Sequence, residues 1–390
     1  MNILVVINSL STGGITSALA NMINSCPEYN WCILPLKYSV PDHNTFKNVT
    51  IEKKRYLFDI LLTPFSDIRE KKNPLKIFIK LLMFVLKKII GQENLVNIVS
   101  KLSIRTRQYD IAMSYNNDIW YENGSFFGGS NSFTKTKVRA TLKLAWIHAL
   151  PEYIGLNKKR AIYTYKSFDR VINVSYASER CFLDVVPDLK EKCAVVYNFI
   201  NFERIRNSLV SYQNPYMTDT VNLLTVARIE NRAKRIDRIV RIAQKLKSQG
   251  LSFMWLIIGD GPDLMYIKSS IESENLNDVI QCLGERKEPF IFMKYADVLV
   301  LTSDYEAYPM VICESLACGT PVICTDFPAA YEMITNGING YVVKKQEEEF
   351  YMILSELIQN KGKIIELKMN CSFQNDTAKK QLHQLIMREE

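Results

Sequence analysis

Short, mostly apolar runs punctuate the chain, and most are followed by a stretch whose apolar residues are spaced as on one face of a helix. In the first half the runs fall at 2–8, 31–35, 110–114, 143–147, 170–175 and 193–198. The second half repeats the pattern at 221–226, 253–259, 279–284, 296–302 and 321–325. Runs rich in Val, Ile and Leu without polar alternation suit parallel strands buried on both faces. The intervening helices are clearest at 15–23 and after Lys234, where Ile236, Ile239, Val240, Ala243 and Leu246 keep helical spacing. Strands alternating with helices predict an α/β architecture of doubly wound parallel sheets. At 390 residues the chain exceeds a single core, so two Rossmann-like domains are expected. The first spans 1–200, a polar and irregular linker 201–220, the second domain 221–375, and a tail 376–390.

The densest signal is residues 296–326, ADVLVLTSDYEAYPMVICESLACGTPVICTD. A buried strand is expected over 296–302, a polar loop over 303–308, and a helix over 310–318. Pro309 suits its start, where a missing N–H is no loss. Gly319 can stop it in a left-handed cap, and Pro321 cannot continue it. Ligands of parallel α/β sheets bind outside the carboxyl ends of the strands, which is where Glu306 falls. Glu314, about two turns into an otherwise apolar helix, is costly to bury without partners. Two carboxylates so placed could face one bound ligand.

Two further stretches carry chemistry. The first strand runs into SLSTGG, residues 9–14, and a helix start. Gly13 and Gly14 there either form a tight turn or let backbone N–H groups meet an anion. The longer G-x-G-x-x-G pattern of dinucleotide enzymes is absent. Arg228 ends the strand 221–226 and Lys234 opens the next helix. Such a basic run is ordinarily a solvated face. At a strand's carboxyl end it can instead clamp a diphosphate, Arg with its forked donors and Lys with a compact charge. The turn GDGP, 259–262, reads as structural, because Asp260 is a poor phosphate ligand by charge.

Composition alters this picture in few places. A hydrophobic content of 47% marks a globular protein. Nine scattered cysteines without a C-x-x-C pair point to buried, reduced thiols in a cytoplasmic protein. Three histidines lack metal-ligand spacing, and residues 1–7 read as a strand rather than a secretory leader. The net charge of +8 is local, since residues 53–107 hold thirteen Lys/Arg against four Asp/Glu. Within that segment 74–90, PLKIFIKLLMFVLKKII, predicts an apolar helix carrying Lys76, Lys80, Lys87 and Lys88. Its uncharged stretch is too short to span a bilayer. It is either a core helix whose lysines reach out to solvent or a basic amphipathic face that lies on an anionic membrane surface. No aromatic-interleaved motif supports nucleic acid as the partner.

Glu306, Ala307, Tyr308, Pro309 and Glu314, followed by Ala317, Cys318, Gly319, Pro321 and Val322, resemble a known pair of signatures. These are the E-G-F-P-x-x-x-x-E and A-C-G-x-P-V motifs of the family-4 retaining glycosyltransferases, with Ala307 and Tyr308 replacing Gly and Phe. The resemblance implies the GT-B fold, in which two Rossmann-like domains face across a cleft and the tail crosses back to the first. It implies transfer of a hexose or N-acetylhexosamine from a nucleotide diphosphate-sugar, uridine being the commonest base. The acceptor would be a hydroxyl of a saccharide, and the basic amphipathic segment suggests a lipid-linked one at the inner membrane face, as in bacterial surface-polysaccharide assembly. Neither metal nor cofactor is implied, and no D-x-D motif occurs. By the same resemblance Glu314 would hold the ribose and Glu306 the donor sugar. Arg228 and Lys234 match G-R-L…K-G, with Ala227 and Arg235 in place of the glycines, and would hold the diphosphate with the backbone of Met310 and Val311. Gly13 and Gly14 would approach the donor, His148 would face its sugar, and Arg286 lies in the segment that holds the base. The catalytic set is then Glu306, His148, Arg228 and Lys234. At the end of the first domain Phe199 stands where the family carries Gly.

Three other classes compete with this reading. A retaining hydrolase needs two carboxyl groups roughly 5–5.5 Å apart and gives the cationic clamp no purpose. A GT-B nucleotide-sugar epimerase is disfavoured by the glutamate pair and the A-C-G-x-P-V run. A non-catalytic sugar- or polyanion-binding protein at a membrane surface would not require Arg228, Lys234, Glu306 and Glu314 together.

Overall fold

The apolar runs become the central strands of two parallel sheets in the computed structural model. It describes residues 1–10, 13–37, 45–52, 55–70, 72–209, 214–216, 220–373 and 376–387. Ser11 and Thr12 of the glycine loop, Lys53, Lys54 and Lys71 of the basic segment, parts of the expected linker and the last three residues of the tail lie outside these.

In chain order the strands of the first half are β1 Asn2–Ile7, β2 Asn30–Pro35, β3 Thr50–Ile51, β4 Gln108–Ser114, β5 Ile119–Trp120, β6 Phe126–Phe127, β7 Arg139–Ile147, β8 Arg170–Asn173 and β9 Cys193–Val195. Those of the second half are β10 Val221–Val226, β11 Phe253–Ile258, β12 Ile280–Gly284, β13 Val298–Leu301, β14 Val322–Thr325 and β15 Gly340–Val343. One sheet runs β3-β2-β1-β4-β7-β8-β9, the other β12-β11-β10-β13-β14-β15, and β5 pairs antiparallel with β6. Both large sheets start in the middle, grow to one side, then return and grow to the other. That is the doubly wound order, and its switch points lie between β1 and β4 and between β10 and β13. The fold class expected from the sequence holds.

Two compact units divide the chain, Met1–Phe199 with Asp376–Glu390, and Ile200–Asn375. In the first, Leu4, Val6, Ala112 and Ala145 of the sheet pack with Phe133, Phe168 and Phe182. In the second, Leu223, Trp255, Ile257, Val298 and Val300 meet Ile239, Ala243 and Leu246 of helix Ile236–Ser248. Cutting one such buried Leu or Ile back to Ala costs about 2–5 kcal/mol.

Some local readings need revision. Helix Pro74–Ile90 forms where the sequence predicts it, but the same region also holds helices Tyr56–Leu62, Phe65–Glu70 and Gln92–Leu102, for which the apolar pattern gives no expectation. Residues expected as linker include helix Phe202–Ser208, capped by Asn201, whose Oδ1 accepts from the Arg204 N–H at 2.8 Å. That helix packs on helices Phe290–Tyr295 and Met310–Ala317 of its own unit. The tail helix, Asp376–Met387, belongs to the first unit, with Ala378 and Leu382 fully buried. There Tyr29 Oη lies 3.0 Å from His383 Nδ1, and Lys379 Nζ donates to the Ser25 carbonyl at 3.0 Å. Phe199 does not need to be glycine, because its backbone lies outside the left-handed region. Its ring is buried and its carbonyl accepts from Asn21 Nδ2 at 2.8 Å.

The GDGP turn is where glycine is required. Gly259 has φ +145°, and a Cβ on it would collide with the carbonyl oxygen of Ala227; one on Gly261 would collide with that of Ile229. The turn clasps the Arg228 loop through Ile229 N–H to Asp260 O at 2.9 Å and Asp263 N–H to Ile229 O at 3.1 Å. Gly259→Ala and Gly261→Ala are each expected to lose about 2 kcal/mol or more of stability, read by denaturant titration. An unchanged midpoint for both would show that the clasp yields freely.

Candidate functional site

In the second unit the site is built at the switch point between β10 and β13. Arg228 follows β10 and is exposed, with no side-chain partner among the described residues. Lys234 closes a one-turn helix, Asn231–Lys234, rather than opening a long one. Arg235 then takes a left-handed conformation, φ 50° and ψ 47°, before helix Ile236–Ser248 begins. This is the position where the resemblance calls for Gly, and a side chain there costs about 1–2 kcal/mol. The ion pairs of Arg235 with Asp237 at 3.0 Å and Asp304 at 3.1 Å offset that cost.

Past β13, the loop with Glu306 is tied to the same place. Asp304 N–H donates to Ala233 O at 2.8 Å, and Thr302 Oγ1 donates to the carbonyls of Lys234 and Arg235 at 3.1 and 2.9 Å. Arg238, itself buried, reaches Asp304 at 2.8 Å. Through this lacing Lys234 Nζ meets Glu306 Oε1 at 2.5 Å, and Ser303 Oγ donates to the same oxygen at 2.8 Å. Ala307 lies outside the left-handed region, so its Cβ costs the loop nothing. Helix Met310–Ala317 starts behind Pro309 as expected and ends in a Schellman cap. Gly319, φ +82°, donates to Leu316 O at 3.1 Å, and Thr320 N–H donates to Ser315 O at 3.0 Å. Glu314 is therefore just over one turn into this helix, not two. Burial pushes its carboxyl up to about 7, with the charge of Arg204 acting against the shift. Arg286 is exposed beyond β12.

Gly13, Gly14 and His148 belong to the other unit. Gly13 caps helix Gly14–Ser25 with φ 147°, and a Cβ on either glycine would meet nothing within 4 Å. His148 follows β7; its backbone N–H donates to Asn117 Oδ1 at 2.9 Å, and its ring sits edge-on to Tyr115 with centroids 4.5 Å apart. Burial pushes its imidazole down to about 3, so the ring is neutral. Nε2 of His148, Nδ2 of Asn8, Nδ2 of Asn117 and both amide atoms of Asn173 are buried with no partner among the described residues. Asn8 follows β1, Asn117 lies beyond β4, and Asn173 ends β8. With His148 after β7, these groups line four consecutive strands at the carboxyl edge of the sheet. Each orphaned group costs about 1–3 kcal/mol unless something binds it.

Residues 212–375 match the family model described as glycosyl transferases group 1. The second unit thus carries a group 1 glycosyltransferase module. Its curated relatives include the N-acetyl-alpha-D-glucosaminyl L-malate synthase of Bacillus anthracis, 26% identical over 150 residues, which are 38% of this chain and 39% of that one. Another is the amylovoran biosynthesis glycosyltransferase AmsK of Erwinia amylovora, 25% identical over 183 residues, 43% of this chain and 45% of that one. The chain thus spans less than half the length of these relatives. The structure of Anabaena Alr3699/HepE in complex with UDP and glucose superposes over 100% of both chains with a TM-score of 0.71 at 16% identity, a likeness of fold.

Of the residues singled out by sequence, the structure brings Lys234 and Glu306 of the glycosyltransferase module into contact and leaves Arg228 exposed beside the same switch point. Sequence reasoning missed Arg204, the cation that acts on Glu314, because it sits in what reads as linker. It also missed Asn8, Asn117 and Asn173; their only signal is a polar residue directly after a buried strand. Among the described residues no group of three or more His, Cys, Asp or Glu is arranged to hold a metal.

Glu314 gives the module a pH signature. Its folded pKa of about 7 lies above the ordinary 4.5, so the folded chain keeps a proton that the unfolded chain releases. The stability this represents is complete below pH 4.5 and is lost as pH rises toward 7. Glu314→Gln should accordingly raise stability at pH 8 by about 1–3 kcal/mol and leave it unchanged near pH 4. Parallel melting curves of variant and wild type across that range would refute the assignment.

Proposed function

We propose that the chain is a retaining glycosyltransferase that moves a hexose or N-acetylhexosamine from UDP to a hydroxyl of a saccharide or lipid-linked saccharide acceptor in polysaccharide biosynthesis. The reading rests on one observation above others: Lys234 and Glu306 paired at 2.5 Å beside exposed Arg228, at the switch point of the group 1 module. As the anomeric bond breaks, negative charge grows on the leaving diphosphate. Arg228, Lys234 and the N–H groups of Met310 and Val311 at a helix start stabilise it without a metal ion. Glu306 accepts hydroxyls of the donor sugar, Lys234 fixing its orientation. Glu314 accepts ribose hydroxyls, and those hydrogen bonds replace the water that burial removed. Arg286 borders the base. Gly13 and Gly14 let backbone approach the donor. His148, being neutral, hydrogen-bonds a sugar hydroxyl rather than supplying charge.

A thermal melt with UDP in EDTA tests the donor assignment. A ligand held only by the folded chain adds about 2.7 kcal/mol at a hundredfold excess over its Kd. UDP should stabilise wild type, and Lys234→Met should weaken it about tenfold or more, roughly 1.4 kcal/mol. No stabilisation by UDP, or one that requires a divalent ion, would defeat this reading of the clamp.

The orphaned amides of the first unit fit a hydroxyl-rich ligand. Asn173→Ala should hold or raise stability, since it removes buried groups without partners, while raising the acceptor KM severalfold in a transfer assay. A large loss of stability with unchanged KM would make Asn173 structural.

A further inference from the structure

Helix Pro74–Ile90 reverses the expected arrangement of its side chains. Lys76 turns toward Asp59, 3.6 Å away, and Lys80 Nζ donates to the carbonyls of Ile60 and Leu61 at 3.0 and 2.9 Å. Met83 is buried, and Leu86 and Ile90 pack on the core beside it. The opposite, solvent face is apolar. Leu75, Phe78, Leu82, Val85 and Ile89 recur at intervals of three and four residues and are 60, 65, 50, 52 and 73% exposed. A single exposed Leu needs no explanation, but a continuous apolar stripe marks a surface that something covers.

Charge identifies the occupant. No Asp or Glu occurs between residues 71 and 92. Lys87 and Lys88 are exposed at the carboxyl end, Lys88 lying 4.8 Å from the Phe84 ring centroid, and Lys72 is exposed before the helix. An apolar stripe edged by cations and free of carboxylates complements an anionic lipid surface, with the stripe in the acyl boundary and the ammonium groups at the phosphates. A helix of 17 residues suits such a plane; among the described residues no helix is long and apolar enough to cross a membrane.

We propose that this face docks the chain on an anionic membrane surface, through the stripe rather than through the whole basic segment 53–107. The proposal deepens the reading of a lipid-linked acceptor, but vesicle binding needs no donor, so its failure would leave the UDP result standing. The test is flotation of the full chain with phosphatidylcholine vesicles, with and without one quarter phosphatidylglycerol. Co-flotation should be at least tenfold greater with the anionic vesicles. It should fall tenfold in the exposed-site pair Phe78→Glu, Val85→Glu, and clearly in Lys87→Glu, Lys88→Glu, with the UDP shift and the melting curve unchanged in both. Absence of co-flotation, or flotation indifferent to Phe78→Glu, Val85→Glu, overturns the proposal. So does a dimer in ultracentrifugation that the same pair dissolves, since the stripe would then cover a second copy of the chain.

Discussion

One ion pair, Lys234 with Glu306, closes the working edge of the second unit, and the loops around it are built to bring that pair together. The two residues come from loops after β10 and β13, neighbouring strands whose connections depart to opposite sides. Nothing in the sheet ladder itself fixes where those loops go once the strands end. Their placement comes from Thr302, Asp304, Arg235 and Arg238, which knit loop to loop by hydrogen bonds and ion pairs. Both partners of the central pair are largely shielded from water, with 25 and 10% of their side chains exposed. In that setting removing one partner strands the other, so the pair acts as a positional lock more than as a source of stability.

Much of the fold was legible because buried parallel strands leave an unambiguous mark. Stretches such as VNLLTV or NILVVI have no polar face and are too short for helices, and their spacing dictates crossovers. The misreadings have physical causes too. Helices Tyr56–Leu62 and Phe65–Glu70 are too short to show a helical period, and the inward stripe Leu95, Val96, Val99 of Gln92–Leu102 is brief. Pro74–Ile90 misleads further: Lys76 and Lys80 are satisfied by a carboxylate and carbonyls underneath, a choice that depends on tertiary partners the sequence does not display.

The candidate site was legible in proportion to how local its geometry is. Glu306, Pro309, Glu314 and Gly319 are set by one loop and one helix, and sequence spacing nearly suffices. Lys234 needed the contact across the switch point to acquire meaning. Arg235 shows the limit from the other side, since its left-handed backbone without glycine is offset by ion pairs with Asp237 and with distant Asp304. Asn8, Asn117 and Asn173 are ordinary amides in sequence and become notable only when folding buries them with nothing to bind.

The closing helix of the first unit has a consequence for biogenesis. Ala378 and Leu382 fill that unit's interior, yet more than 170 residues of the second unit are synthesised before them. Domains tend to fold in the order they emerge from the ribosome. Here the unit that emerges first must wait with an open seam beside Tyr29 and Ser25, while the group 1 module has all of its sheet in hand. The domain begun first is the one completed last, and ribosome-bound chains should carry a finished second unit on an unfinished first one.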